Sequence, residues 1–511
     1  MCMLLITFLY PMIFSYDWSK MHYISAIAFD FFLVYVITLL ISLISKGKVR
    51  KAVFRTVLTL TTILAFLKVI CQICVHGPVG SSVLAAVLAT NAEEAGEMAS
   101  TFLTAKMICA LAGLPVAMIV CHLAGRKLKD VKMNKLATRC CLAGAIACGC
   151  VSAASLVLNK QVVYDEVALT LITEFSKARQ ASAYHIQLTH PKVTVDKEKQ
   201  PAVVVWIVGE STTRRHCSLY GYDKITNPLL QKKVDDGEAY AFNNINSADT
   251  HTQECFQQMM TTYSKSAPET TEWYKCTTLP EVAHLAGYHT SWISNQHKVG
   301  IFENYVGQLS EFCDTSAFVN KYAEHTNLDG ELLPITKKMM KHGTGKDFYV
   351  INLMGCHKKY EKRYPTSFAR FSASEYGNKP GNQRCSLAAY DNAVLYNDFI
   401  VNSIFDLFSQ SDAIVVYAPD HGLDLFESTP DYDGHAIQGN AKSEKLSREI
   451  PLVIYMSPLY RKNHPDMAAR VAKSVNRKYD MEDAIYLMMD LMKCDFANPT
   501  VAKKTLLLPL K

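Results

Sequence analysis

The sequence predicts an α/β fold, with a mostly parallel sheet between helices, following an N-terminal bundle of five membrane-spanning helices. Three observations carry this expectation. The longest apolar runs of the 511-residue chain lie in its first third. Beyond residue 200, short β-branched runs recur at helix-length intervals. Three of those runs end in residues that bind metals. The length itself suits two or three domains rather than one core.

The apolar third is marked by segments at 3–15, 22–46, 52–75, 103–124 and 136–158, read against the roughly 20 apolar residues that cross a hydrocarbon core. The first is short. A second apolar segment follows at once and no small-x-small cleavage site intervenes, so it reads as a helix rather than a signal peptide. Basic residues cluster in two places: Lys46, Lys48, Arg50 and Lys51, and then Arg126, Lys127, Lys129, Lys132 and Lys135. The positive-inside rule makes both cytoplasmic. By parity, everything after about residue 160 lies on the other side. Asp30, Lys68 and Lys106 interrupt the spans; charge inside a membrane is costly, so Lys106 is expected near an interface and Asp30 paired with Lys68 within the bundle.

After a linking stretch come Ala202–Val208, Asp347–Met354, Ala413–Ala418 and Pro451–Tyr455. Continuous apolar runs of this kind belong to strands buried on both faces of a parallel sheet. The expected organisation is therefore a transmembrane domain over 1–160, a linker over 161–200 and an extracytoplasmic domain over 201–511. The net charge of +6 is modest, and no Lys/Arg block is long enough for a nucleic-acid arm. Of 16 cysteines, those beyond residue 200 are Cys217, Cys255, Cys276, Cys313, Cys356, Cys385 and Cys494. None has zinc-ribbon spacing. Some pairing is expected outside the cytoplasm, with a connectivity that spacing does not disclose.

In doubly covered sheets, ligands gather at the carboxyl ends of the strands. Here the first run leads into Glu210, the second into Gly355-Cys356-His357 and the third into Asp420-His421-Gly422. Such an oxygen- and nitrogen-rich rim suits zinc, or less specifically manganese.

At these residues the chain resembles the bacterial phosphoethanolamine transferases, over nearly its whole length. The matching stretches are Val208-Gly209-Glu210-Ser211, Arg214-Arg215-His216, Leu219-Tyr220-Gly221-Tyr222 and Thr226-Asn227-Pro228-Leu229. Further matches are Ser247 to Thr252, Trp292 to Gln296, Tyr390-Asp391-Asn392, Asp420-His421-Gly422 and Gly434-His435. The resemblance implies five spans followed by an alkaline-phosphatase/sulfatase-like domain in the periplasm of an inner-membrane protein. It implies Glu210, Thr252, Asp420 and His421 as zinc ligands, for one zinc or two. His357 and His435 match the family histidines that hold the phosphate or a second zinc. Thr90 and Glu94, within Thr90 to Ala95, are similar to the segment that meets the donor's ethanolamine headgroup.

The implied reaction takes phosphoethanolamine from phosphatidylethanolamine onto Thr252, releasing diacylglycerol. A zinc-bound phospho-threonine intermediate then passes the group to lipid A, lipopolysaccharide core or a periplasmic glycan. A hydroxyl on zinc has a lowered pKa and can attack at neutral pH. Rival hydroxyls stand at Ser211, Thr212, Thr213 and Thr250, but Ser211 lacks a Gly-x-Ser-x-Gly elbow. Two departures leave the acceptor open. Ala248 stands where the lipid A branch carries a cysteine, and the Ser-Asn-Gln form at 294–296 is closer to the core- and glucan-modifying branch. The alternatives are a lipoteichoic-acid-synthase-like phosphoglycerol transferase and a non-catalytic membrane scaffold. The formylglycine signature of a sulfatase is missing at the nucleophile position.

Overall fold

The structure, a computed structural model, describes residues 2–14, 21–74, 105–127, 142–144, 146–150, 186, 188–265, 272–296, 298, 305–319, 327–437 and 440–510. The chain divides into two compact units, one formed essentially by the apolar third and one beginning at Ser182.

In the first unit, α1 (Cys2–Leu9) runs into a 3-10 turn, Tyr10–Phe14, where Pro11 cannot continue an α-helix. Then come α2 (Met21–Ser42), α3 (Gly47–Cys74) and α4 (Ala105–Lys127). α1 packs against the other three. The Tyr10 hydroxyl donates to the Ala110 carbonyl at 2.7 Å. Gly113 makes room for it, since a Cβ there would collide with the tyrosine oxygen. Among the described residues, one helix is long and apolar enough to cross a membrane, Gly47–Ile73 with mean hydropathy 1.9. Asp30–Ser42 and Met107–Leu123 are shorter apolar stretches. The expected five-helix bundle is thus described only in part: of 136–158, only 142–144 and 146–150 are described, and they are helical. Of the first basic cluster, only Lys46 lies in the connection between helices. Lys48, Arg50 and Lys51 sit in the opening turns of α3.

The second unit is built on a seven-stranded sheet. Its strands are β1 (Val203–Gly209), β2 (Ala239–Ala241), β3 (His289–Ser294), β4 (Thr315–Phe318), β5 (Asp347–Asn352), β6 (Ala413–Pro419) and β7 (Val453–Met456). They lie in the order β2-β7-β6-β1-β5-β3-β4. β6, β1, β5, β3 and β4 are mutually parallel. β7 is antiparallel to both neighbours, so the sheet is mixed, not uniformly parallel. The run at 451–455 was read correctly as a buried strand, but apolarity carries no strand direction. The expected linker also contributes: Val193–Val195 pairs with Cys494–Phe496.

Every residue of β1, β5 and β6 is buried. Alternate side chains feed two cores. Val204, Trp206 and Val208 join Phe348, Ile414 and Val416 on one face; Val205, Ile207, Tyr349 and Val415 serve the other. Of α5 (Pro228–Asp235), α6 (Thr252–Met259) and the long α7 (Gly381–Leu407), the last two matter for the site. α5 packs on α7, its Leu229 and Leu230 N–H groups donating to Asp398. α7 covers the second face through Tyr396, Ile400, Val401 and Ile404. Phe256 and Met259 of α6 enter the first core.

Candidate metal centre and active site

Strand register brings the site together. β1 pairs with β6 from Val203↔Ala413 to Gly209↔Pro419, so the next residues, Glu210 and Asp420, leave adjacent strands side by side. Two glycines permit this crowding. A Cβ on Gly209 would meet Tyr417 at 3.0 Å and the Cα of Pro419 at 3.2 Å. Gly355, at φ +50, brings the β5 exit so close that a Cβ would lie 2.7 Å from the Glu210 carbonyl oxygen.

Glu210, Asp420 and His421 are 1 %, 0 % and 0 % exposed, and their ligand-type atoms lie within 4.8 Å of one another. His421 Nδ1 is 2.8 Å from the Gly422 carbonyl. That oxygen only accepts, so Nδ1 carries a proton and Nε2 is the nitrogen left to meet a metal. Nε2 stands 3.5 Å from Glu210 Oε1 and 3.5 Å from Asp420 Oδ2. An imidazole with its far N–H tied to a carbonyl is in the posture of a metal ligand. Asp420 Oδ1 accepts from the backbone N–H groups of Ser211 and His421. Its Oδ2 is buried with no hydrogen-bond partner, the kind of vacancy that a cation fills. Burial, together with the adjacent Asp420, pushes Glu210 up to about 8; burial pushes Asp420 to about 6. Two buried carboxylates facing one imidazole nitrogen fit a dication of the zinc type.

Thr252 opens α6 with its hydroxyl over this cluster, 3.2 Å from Glu210 Oε2 and 3.3 Å from His421 Nε2. The rival hydroxyls are engaged elsewhere. Ser211 Oγ donates to Glu210 Oε1 at 2.6 Å, Thr212 to the Glu210 carbonyl at 3.2 Å, and Thr250 Oγ1 meets His251 Nδ1 at 3.0 Å. Thr213 Oγ1 accepts from the Arg215 N–H at 3.4 Å.

His435 lies beside His421, ring centroids 4.6 Å apart. Burial, then His421, His251 and His357 around it, hold His435 far below the usual histidine range, so it is neutral. His357 follows β5, and its neighbour Lys358 is ion-paired with Asp433, two residues before His435. The structure thus gathers Glu210, Thr252, Asp420, His421, His357 and His435 at one end of the sheet. Thr90 and Glu94 lie outside the described residues.

Three contributors carried no assigned role in the sequence. Gln296, just past β3, donates from Nε2 to Glu210 Oε2 at 2.9 Å. Ser211 holds the other Glu210 oxygen from a left-handed backbone, φ 54, which is strained for a side-chain-bearing residue. Tyr390 of α7 secures that turn, donating to the Ser211 carbonyl at 2.8 Å and accepting from the Thr213 N–H at 2.9 Å. The signals were there in the Asn295-Gln296 and Tyr390-Asp391-Asn392 motifs, but the partners are set by tertiary register. Asp391 itself faces away, bonding His216 Nδ1 at 2.6 Å and the Tyr222 hydroxyl at 2.8 Å.

A mixed, doubly covered sheet with a carboxylate–histidine cluster beneath a hydroxyl defines an alkaline-phosphatase-like α/β domain. The chain belongs to the sulfatase family, whose model matches residues 202–494. Among curated proteins it is similar to phosphoethanolamine transferase EptC of Escherichia coli K12, 28 % identical over 313 residues, covering 59 % of this chain and 53 % of the relative. The chain thus matches about half the length of that relative. A crystal structure of the C-terminal periplasmic domain of E. coli EptC in complex with Zn is 25 % identical, with TM-score 0.56 over 62 % of this chain and 89 % of that one. The integral membrane protein lipooligosaccharide phosphoethanolamine transferase A of Neisseria meningitidis shares the fold over 98 % of both chains, with TM-score 0.70 and 18 % identity.

Proposed function

We propose that this protein is a zinc-dependent phosphoethanolamine transferase of a bacterial inner membrane, with Thr252 as its nucleophile. The observation that carries the reading is the position of Thr252 Oγ1, 3.2 Å from Glu210 and 3.3 Å from His421 above a buried carboxylate cluster. The likeness to EptC supports the group transferred, and the Zn complex of its domain supports the metal.

Glu210, Asp420, His421 and the Thr252 oxygen would hold one zinc; His357 and His435 would hold the phosphate or a second zinc. Bound zinc would supply charge neutralisation and a lowered hydroxyl pKa. Thr252 Oγ attacks the phosphorus of phosphatidylethanolamine, its proton passing to the departing diacylglycerol oxygen as that P–O bond breaks. The phosphoethanolamine now on Thr252 is attacked by an acceptor oxygen, and Thr252 regains a proton. His357 serves the phosphoryl oxygens or the leaving oxygen as a donor, while His435, whose one proton is held on the Thr250 carbonyl, would present its bare Nε2 to the second zinc. Ser211 and Gln296 hold the two Glu210 oxygens in place.

The division into a multi-pass membrane domain over 1–160, a linker over 161–200 and a periplasmic catalytic domain over 201–511 suits a donor that is a bilayer lipid. Thr90 and Glu94 are assigned to the donor's ammonium headgroup. The acceptor is lipopolysaccharide, at lipid A or core, or a periplasmic glycan; the Neisseria relative's lipooligosaccharide is of this class. Mass spectrometry of lipopolysaccharide and glycans from cells with and without the protein tests the proposal. An added phosphoethanolamine that disappears with Thr252→Ala is expected; its absence from every envelope component rejects it.

A further inference from the structure

The segment that carries Thr252 also grips a histidine from a distant loop. The imidazoles of His251 and His435 lie face to face, centroids 4.7 Å apart with 4° between their planes. His435 Nδ1 is 2.9 Å from the Thr250 carbonyl. A carbonyl only accepts, so Nδ1 carries the proton and Nε2 is left bare. His251 is itself fixed by its Nδ1 at 3.0 Å from Thr250 Oγ1. One residue, Thr250, therefore ties both rings, one through its main chain and one through its hydroxyl. On the far side, Asp433 anchors the same loop to Lys358 and to Ser386 Oγ at 2.6 Å. An apolar neighbour would bury His435 equally well without setting its plane. A parallel stack with both rings bonded to one threonine sets plane and tautomer together.

We propose that His251 is a positioning residue, whose ring clamps His435 in the plane required for phosphoryl transfer while the Thr250 carbonyl sets its tautomer. The dipeptide before the nucleophile then orients both the attacking hydroxyl and a histidine that meets the transferred group. The catalytic half of this inference rests on the phosphoethanolamine-transfer reading; the clamp itself does not.

The test uses the full chain in phosphatidylethanolamine vesicles, as wild type, His251→Ala, His251→Phe, His435→Ala and the double alanine variant. Two quantities are read: transfer kinetics, and carbethoxylation of His435 by diethyl pyrocarbonate, located by mass spectrometry. Losing the clamp should lower kcat on the order of tenfold or more, with less change in KM. His251→Ala should also raise labelling of His435 severalfold. His251→Phe, which keeps a stacking ring, should restore both, and the double variant should be no slower than His435→Ala alone. Unchanged His435 labelling in His251→Ala overturns the proposal, as does a kcat loss that multiplies in the double variant. A wild type that transfers nothing rejects the functional reading, and labelling alone then judges the clamp. Retained structure in His251→Phe guards against a fold that fails in the alanine variant.

Discussion

At the scale of single residues, the buried acids dominate. Burial pushes Glu210 up to about 8 and Asp420 up to about 6, against about 4 for unfolded carboxyls. Between those values the folded protein keeps protons that the unfolded chain has shed. Without metal, stability should therefore fall as pH rises from about 4 to about 8. A dication removes the need for those protons, so stabilisation by zinc should grow over the same range. Thermal melts from pH 5 to 8, with EDTA and with zinc, check this; a difference that does not change with pH contradicts it. Thr252→Ala should cut transfer by roughly a thousandfold or more while leaving the melting temperature nearly unchanged, because its side chain serves the site and not the core. Asp420→Asn should weaken zinc binding beyond the ~10–100-fold that outer partners carry. Gln296→Ala, one shell out, should stay within that range. Competition with a zinc-binding dye measures both.

At the scale of elements, the question is what holds Glu210 where it is. Tyr390 on α7 spans the turn that Ser211 strains. Tyr390→Phe leaves the Thr213 N–H and the Ser211 carbonyl buried without this partner, at a cost of about 1–3 kcal/mol, seen as a lower melting temperature. Zinc affinity should fall with it. Much of this element level was legible in the sequence. β1, β5 and β6 stood out as apolar runs, and their carboxyl ends held Glu210, His357, Asp420 and His421, which the structure brings together. What was not legible has physical causes. β3, His289–Ser294, is buried although rich in Ser, Thr and His, because its polar groups find partners such as Asp314 and Thr315; no apolar pattern marks it. The direction of β7 follows from chain connection, not composition. Gln296 and Tyr390 reach Glu210 and Ser211 across 86 and 179 residues of sequence, and only the sheet register makes those neighbours.

At the scale of the whole molecule, the two compact units divide the proposed labour between lipid and chemistry. A chain beginning at Ser182 should bind zinc and melt cooperatively, yet lose the use of donor lipid held in a bilayer. Comparing transfer from vesicles with transfer from detergent-dispersed lipid measures that loss, and equal rates from both would reject the division. The cysteines carry a further consequence for the cell. Against the pairing expected from the sequence, all seven beyond residue 200 are free thiols, and Cys217, Cys255, Cys276, Cys356 and Cys494 are buried, their pKa values raised by burial. Only thiolate reacts readily with oxidants or disulfides. Concealment therefore withholds these five thiols from oxidation and exchange. A domain with five thiols so concealed is expected to reach its working form without the cell's oxidative folding machinery. It should mature as well in a host stripped of thiol oxidases as in an intact one.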